Sequence, residues 1–401
     1  MPMNILFVSY HYWPPHFGGE LLISIERFES LVQRGHRVIV LTSGASGFPD
    51  HEVINGIEIF RSPKVHSSKI GRGLRRLLFP LWAIRMMKKI DFDIVHFSGA
   101  GGVDPITSNF GNWLTCKAAK KRGAKLVWVH SLADTETEMF SEAGLDRRLR
   151  RFNLKQIDTI VAVSPALYEG VKKYYPNSAL CLPCGIHDDI FSPCSDVERR
   201  ASREEYSISE NQIVISFLGS VGLRKGFDLL ANTFLELNGQ SPEWVLWVMG
   251  PYTKKENQNI DNSEVSDLID RLQEFRNVRF WGRIDDRKQL ATLLALSDIF
   301  VFPSRKEGMG IAPMEAMAAG VPVIISRIPG VTDLANIEGK TGLYVEVGDV
   351  QSLKSAMVKL GTDKQLRQAM GKAAHERIRA EFGWVNYIDK WEQLYSSLLE
   401  K

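Results

Sequence analysis

Residues 304 to 315 read Ser304-Arg305-Lys306-Glu307-Gly308-Met309-Gly310-Ile311-Ala312-Pro313-Met314-Glu315. The apolar run before Ser304 predicts a strand. The residues from Ile311 predict a helix with Pro313 in its first turn, where proline is tolerated. The amides of Met309, Gly310 and Ile311 then start the helix without acceptors inside it, which makes an anion site suited to a diphosphate. Seven residues separate Glu307 from Glu315. Carboxylates repel a phosphate, but they accept strong hydrogen bonds from hydroxyl groups. A diphosphate with hydroxyl-bearing groups on either side meets all three demands, and Gly308 keeps the turn between strand and helix open.

Arg224 and Lys225 follow another strand end and open a helix, where the dipole disfavours cations. A shared diphosphate resolves that conflict, and each charge-assisted hydrogen bond to it contributes roughly 1.5–3 kcal/mol. Gly18 and Gly19 lie between the first strand and its helix, where side chains would block a phosphate approaching the backbone; a tight turn explains the pair as well. His130 closes an apolar run and reads either as a ligand contact or as a core histidine, and His96, in a similar place, reads as structural.

Other patterns carry less. Asp91-Phe92-Asp93 resembles a metal-binding motif but precedes its strand, on the wrong edge of a parallel sheet for ligand. The run Gly99-Ala100-Gly101-Gly102-Val103-Asp104 lacks the third glycine of a dinucleotide fingerprint, and Gly339-Lys340-Thr341 lacks the upstream glycine of a phosphate loop. Cys181 and Cys184 are spaced like half a zinc site with no second half. No metal is expected.

Parallel strands buried on both faces are predicted at 5–9, 38–42, 57–61, 94–98, 126–130 and 159–164, and again at 213–219, 244–250, 278–282, 299–304 and 322–326. Helical patterns fall between them, so the chain reads as α/β with two doubly wound domains. A chain of 401 residues is long for one core, which agrees. The domains are placed at 1–187 and 188–383, with a final helix at 384–401 returning toward the first. An apolar fraction of 44% and a charged fraction of 24% fit a soluble globular protein. A net charge of +3 gives no case for nucleic acid. The first strand begins at once, with no cleavable signal pattern, and no apolar run is long enough to span a bilayer. Four cysteines suggest a reducing compartment. A cytoplasmic location is expected.

Residues 298 to 322, DIFVFPSRKEGMGIAPMEAMAAGVP, resemble the donor motif of glycosyltransferase family 4. The resemblance runs along nearly the whole chain, through Gly18-Gly19-Glu20, Arg34-Gly35-His36, Val163-Ser164, Lys225-Gly226, Thr341-Gly342-Leu343 and Gly348-Asp349. It implies the GT-B fold, two Rossmann-like domains facing a central cleft. It also implies a retaining, metal-independent hexosyltransferase with no cofactor beyond its nucleotide-sugar co-substrate. The donor is a UDP- or GDP-sugar, and the acceptor is a saccharide or lipid-linked hydroxyl in cell-surface polysaccharide or glycoconjugate synthesis. In the family, the glutamate matching Glu307 contacts the transferred sugar and the one matching Glu315 holds the ribose hydroxyls. By the same resemblance His130 faces sugar or acceptor, and Gly250, Pro251, Arg283 and Ile284 lie near the nucleobase. Three positions depart from the pattern. Ser220 stands where arginine is common, the linker reads Gly185-Ile186-His187 rather than Gly-Ile-Asp, and the first loop is one residue short before Glu20.

Residues 69–89 mix Lys69, Arg72, Arg75, Arg76, Arg85, Lys88 and Lys89 with leucines, Phe79 and Trp82. That mixture suits docking on an anionic membrane surface on the cytoplasmic face, and a solvated surface helix accounts for it equally. Two rival functions share the donor motif: a sugar-nucleotide epimerase of the same fold, and a binding protein that transfers nothing.

Overall fold

The apolar runs of the sequence enter two parallel sheets. The computed structural model describes residues 1–12, 19–63, 69–98, 105–131, 154–238, 244–253 and 263–400. The chain divides into two compact units, Met1–Cys184 with Tyr387–Lys401, and Gly185–Asn386.

The first unit holds β1 (Asn4–Val8), β2 (Arg37–Thr42), β3 (His51–Ile54), β4 (Ile57–Arg61), β5 (Ile94–Ser98), β6 (Lys125–His130), β7 (Thr159–Ala162) and β8 (Ala179–Cys181). They form an eight-stranded sheet in the order β3-β4-β2-β1-β5-β6-β7-β8. All pairings are parallel except the β3–β4 hairpin. Among the described residues its helices are α1 (Gly19–Gln33), α2 (Lys69–Met87), α3 (Pro105–Lys121) and α4 (Pro165–Tyr174). β3 is absent from the strands expected above, yet the sequence announces it. Asn55 and Gly56 both take positive φ, 50° and 81°, the pattern of a tight hairpin turn.

The second unit holds β9 (Ile213–Leu218), β10 (Trp244–Met249), β11 (Val278–Gly282), β12 (Ile299–Phe302), β13 (Val323–Ser326) and β14 (Gly342–Val345). Its order is β11-β10-β9-β12-β13-β14, with every pairing parallel. The strand order reverses between β9 and β12, and ligands of such sheets bind beyond the carboxyl ends at that point. Among the described residues, seven α-helices belong wholly to this unit: α5 (Asp196–Glu205), α6 (Phe227–Asn238), α7 (Ser263–Gln273), α8 (Arg287–Leu296), α9 (Ile311–Ala318), α10 (Val350–Thr362) and α11 (Lys364–Phe382). Ser195 and Glu198 form a capping box on α5. Asp286, Asp349 and Asp363 cap α8, α10 and α11, each contributing about 1 kcal/mol. Gly348-Asp349 therefore serves as a helix start.

Aspartates just ahead of strands set the register. Asp93, Asp158 and Asp298 accept from the backbone amides of Asn4, Leu126 and Val214, at 2.7, 2.7 and 2.8 Å. Each ties the start of its own strand to the neighbouring one, which gives Asp91-Phe92-Asp93 a structural place at the amino edge.

The last helix, α12 (Trp384–Leu399), begins in the second unit, and its residues from Tyr387 belong to the first. Arg34 bonds Asp389 and Glu392 at 2.6 and 2.7 Å. His36 accepts from the Met3 amide through Nδ1, so its Nε2–H donates to Glu392 at 2.9 Å. The Arg34-Gly35-His36 motif thus clamps the returning helix. In the second unit the His187 ring stacks on Trp384 with centroids 3.7 Å apart, and Asp188 accepts from the Trp384 amide. That stack is what the chain has built at its departure from the family linker. Among the described residues, no helix is long and apolar enough to cross a membrane.

Candidate active site

The loops after β9 and β12 are held together at the point where the strand order reverses. Gly226 follows the short 3-10 turn Leu223–Lys225 with φ at 69°. A Cβ there would lie 1.9 Å from the Pro303 carbonyl oxygen, so only glycine allows this approach. Arg305 completes the join. Its guanidinium meets both carboxylate oxygens of Asp228 at 2.6 Å, and its amide donates to the Arg224 carbonyl.

That join brings Arg224 and Lys225 onto Glu307. Lys225 Nζ lies 2.7 Å from Glu307 Oε1, Arg224 lies 3.5 Å from the same oxygen, and the Ser304 hydroxyl donates to it at 2.6 Å. Lys225 also sits over the Phe302 ring at 4.8 Å. Burial pulls the Lys225 ammonium below lysine's usual range, and the Glu307 carboxylate acts against that shift. Arg224 is different, with 56% of its side chain exposed against 17% for Lys225, so its pair with Glu307 is the more screened. Ser220 is exposed, and Arg224 supplies the second cation beside the carboxylate.

The helix α9 starts as expected. Gly310 is its N-cap, Ile311 its first residue, and Met309 and Gly308 are buried just before it. Glu315 lies buried one turn further on, where Arg287 bonds it at 2.6 Å. Gly250 continues the edge of the sheet. Its amide donates to the Gly282 carbonyl, the Gly219 amide donates to the Met249 carbonyl, and a Cβ on Gly250 would meet the Gly219 carbonyl oxygen at 2.1 Å. Pro251 accepts from Val221, Arg283 pairs with Asp285 at 2.7 Å, and Ile284 is half-buried.

In the first unit, His130 closes β6, buried and stacked on Trp128 with centroids 5.7 Å apart. Gly19 opens α1, its φ is not left-handed, and nothing lies within 4 Å of an added Cβ, so the described chain does not itself require glycine there. Gly18 lies outside the described residues. His96 is a core residue. Its Nε2 accepts from Arg27 at 3.1 Å and its Nδ1–H donates to Tyr395 at 2.9 Å.

Residues 26–189 match the sequence model described as Glycosyltransferase Family 4, and residues 198–377 match Glycosyl transferases group 1. The chain belongs to glycosyltransferase family 4. N-acetyl-alpha-D-glucosaminyl L-malate synthase of Bacillus anthracis is 25% identical to it, over 96% of this chain and 95% of that one. A GDP-mannose-dependent monoacylated alpha-(1-6)-phosphatidylinositol monomannoside mannosyltransferase of Corynebacterium glutamicum is 28% identical, over 68% and 70%. The solved sucrose-phosphate synthase of Thermosynechococcus elongatus overlays with a TM-score of 0.78 at 23% identity, over 99% of each chain. The fold of this glycosyltransferase is GT-B, two Rossmann-like α/β units.

Sequence reasoning named the glutamates of this glycosyltransferase with Lys225 and Arg224, but not the rest of their support. Ser304 and Arg287 bond the glutamates, and Arg305 with Asp228 joins the two loops. One of them had a readable signal. Arg287 is the first residue of α8, where a cation opposes the helix dipole, the same conflict that drew attention to Arg224 and Lys225.

Proposed function

We propose that this glycosyltransferase moves a hexose from a UDP- or GDP-sugar, with retention, to a hydroxyl of a saccharide or lipid-linked acceptor. The convergence of Lys225, Arg224 and Ser304 on one oxygen of Glu307, beside the start of α9, carries the reading. Lys225 and Arg224 neutralise the leaving diphosphate together with the amides of Met309, Gly310 and Ile311. Glu307, with Gly308 keeping its turn open, accepts hydrogen bonds from the transferred sugar, and Glu315 accepts from the ribose. The nucleobase lies by Gly250, Pro251, Arg283 and Ile284. Gly19, next to Gly18 in sequence, leaves backbone accessible to phosphate, and His130 serves the acceptor side. An oxygen of the departing phosphate takes the acceptor proton as the new glycosidic bond forms on the same face of the sugar. Neither metal nor cofactor has a part in that step, so a chelator leaves the rate unchanged.

The test is incubation with UDP-, GDP- and ADP-sugars and simple saccharide or glycolipid acceptors, followed by NMR of the anomeric proton. Transfer with retained configuration supports the reading. Inversion, or conversion of the donor without an acceptor, overturns it.

The surface of α2 supports a membrane contact. Leu78 and Leu81 are exposed, Trp82 is half-buried, and Arg85, Lys88 and Lys89 are exposed beyond them. The apolar residues border a cavity of about 300 Å³ with Pro63 and Phe79. Insertion of this stripe, with the cations on anionic headgroups, brings the enzyme to a lipid-linked acceptor. The Corynebacterium relative, named for a phosphatidylinositol acceptor, agrees with such a substrate. Flotation with phosphatidylglycerol vesicles is expected at low salt and to be lost in Leu81→Glu; a variant that floats like the wild type ends this assignment.

A further inference from the structure

We infer that Arg287 is a positioning residue for the nucleotide: it fixes the Glu315 carboxylate in the orientation that accepts the ribose hydroxyls. The inference rests on the ribose reading of Glu315 and names the residue that makes that reading work.

Arg287 opens α8, the helix after β11, and Glu315 lies on α9, the helix after β12, on opposite sides of the point where the strand order reverses. The two join directly, Arg287 Nη1 to Glu315 Oε1, at 2.6 Å. The guanidinium is also set by an aromatic face, since its carbon lies 4.7 Å from the centre of the fully buried Phe191 ring. A planar cation between a ring and a carboxylate has little rotational freedom, and it transmits that constraint to the carboxylate.

Helix stability does not explain the arginine. Asp286 already caps α8, accepting from the Lys288 and Gln289 amides. A cation at the next position faces the positive end of the dipole and opposes the helix. Its electrostatic gain comes from Glu315, whose side chain is 6% exposed. A carboxylate has about four acceptor sites, so one group can take an arginine N–H and both hydroxyls of a vicinal diol together. Without Arg287, the glutamate is a buried charge lacking this counter-ion, and it loses the contact that orients it from α8. Arg287 therefore acts on ribose through Glu315.

The experiment uses the full chain and titrates by calorimetry with UDP or GDP, whichever the wild type binds, and with the matching 2′,3′-dideoxynucleoside diphosphate. Arg287→Met is expected to weaken binding of the ribonucleotide by about tenfold, while the dideoxy compound binds wild type and variant alike. Arg287→Lys keeps the charge without the planar fork and is expected to fall between them. It keeps the test open if the methionine variant does not fold. In turnover, the effect appears in KM for donor with kcat preserved. Equal binding of the ribonucleotide by wild type and variants overturns the inference. So does an equal loss for both compounds, which marks a role in the fold or on the phosphates. If the wild type itself does not distinguish the two compounds, the ribose reading of Glu315 fails first and the inference falls with it.

Discussion

Lys225 in the second unit and Arg27 in the first are both cations withdrawn from water, and their surroundings differ in kind. Lys225 faces a carboxylate, shares it with Arg224 and Ser304, and keeps part of its side chain exposed. Arg27 is fully buried, and its partners are neutral: Tyr387, Ser24 and His96 by hydrogen bond, and the Phe28 and Trp391 rings at 5.0 and 4.1 Å. A diphosphate can replace Glu307 as the counter-ion of Lys225. Among the described residues no carboxylate bonds Arg27, whose place is in the packing of α12 on the first unit. Burial of a cation therefore marks a site only where a displaceable anion accompanies it.

Four experiments probe that contrast. Glu307→Gln removes the carboxylate at constant shape and is expected to lower transfer by about a hundredfold or more, read as nucleotide release, with the melting temperature kept. Arg27→Ala is expected to cost roughly 3 kcal/mol of stability by leaving a cavity and to leave nucleoside diphosphate affinity unchanged. A change in that affinity would put Arg27 in the site and break the comparison. Lys225→Met is expected to raise the Kd for the nucleoside diphosphate about tenfold or more. Arg224→Ala, more exposed, is expected to raise it less, and a reversed ranking would move the diphosphate toward Arg224.

The fourth concerns His96, beside Arg27. Burial first, then the Arg27 charge, pushes its pKa well below the usual histidine value. The unfolded histidine takes a proton below about pH 6.5 while the folded one does not, so the unfolded state holds more protons there. Stability from this residue is complete above that pH and falls as the solution is acidified, by up to about 1.4 kcal/mol per pH unit. Urea midpoints from pH 8 to pH 5 should show the decline, and His96→Asn should flatten it.

Long apolar runs made the central strands legible, because parallel strands buried on both faces need them. The edges were harder. β3 alternates exposed and half-buried residues, and β8 is half-buried throughout, so neither has an apolar run to read. β14 is short and starts on a glycine. The site divides the same way. Glu307, the α9 amides and Glu315 sit within one contiguous stretch and could be read together. Arg305 finds Asp228 across 77 positions, and Arg287 finds Glu315 across 28. Such pairs exist only once the sheet has brought the loops together.

The glycine row at the ends of β9, β10 and β11 has a consequence for how donor choice can evolve. Gly219, Gly250 and Gly282 lie at φ values of 152°, 130° and 66°, and a side chain at 250 would strike the Gly219 carbonyl. Every missense change at a glycine codon adds at least a Cβ, which at 250 moves the backbone and at 219 and 282 meets a φ that side chains disfavour. With the nucleobase placed by these residues, as proposed above, a new nucleotide preference would be written in the bordering side chains, such as Arg283 and Ile284, above a floor that stays the same.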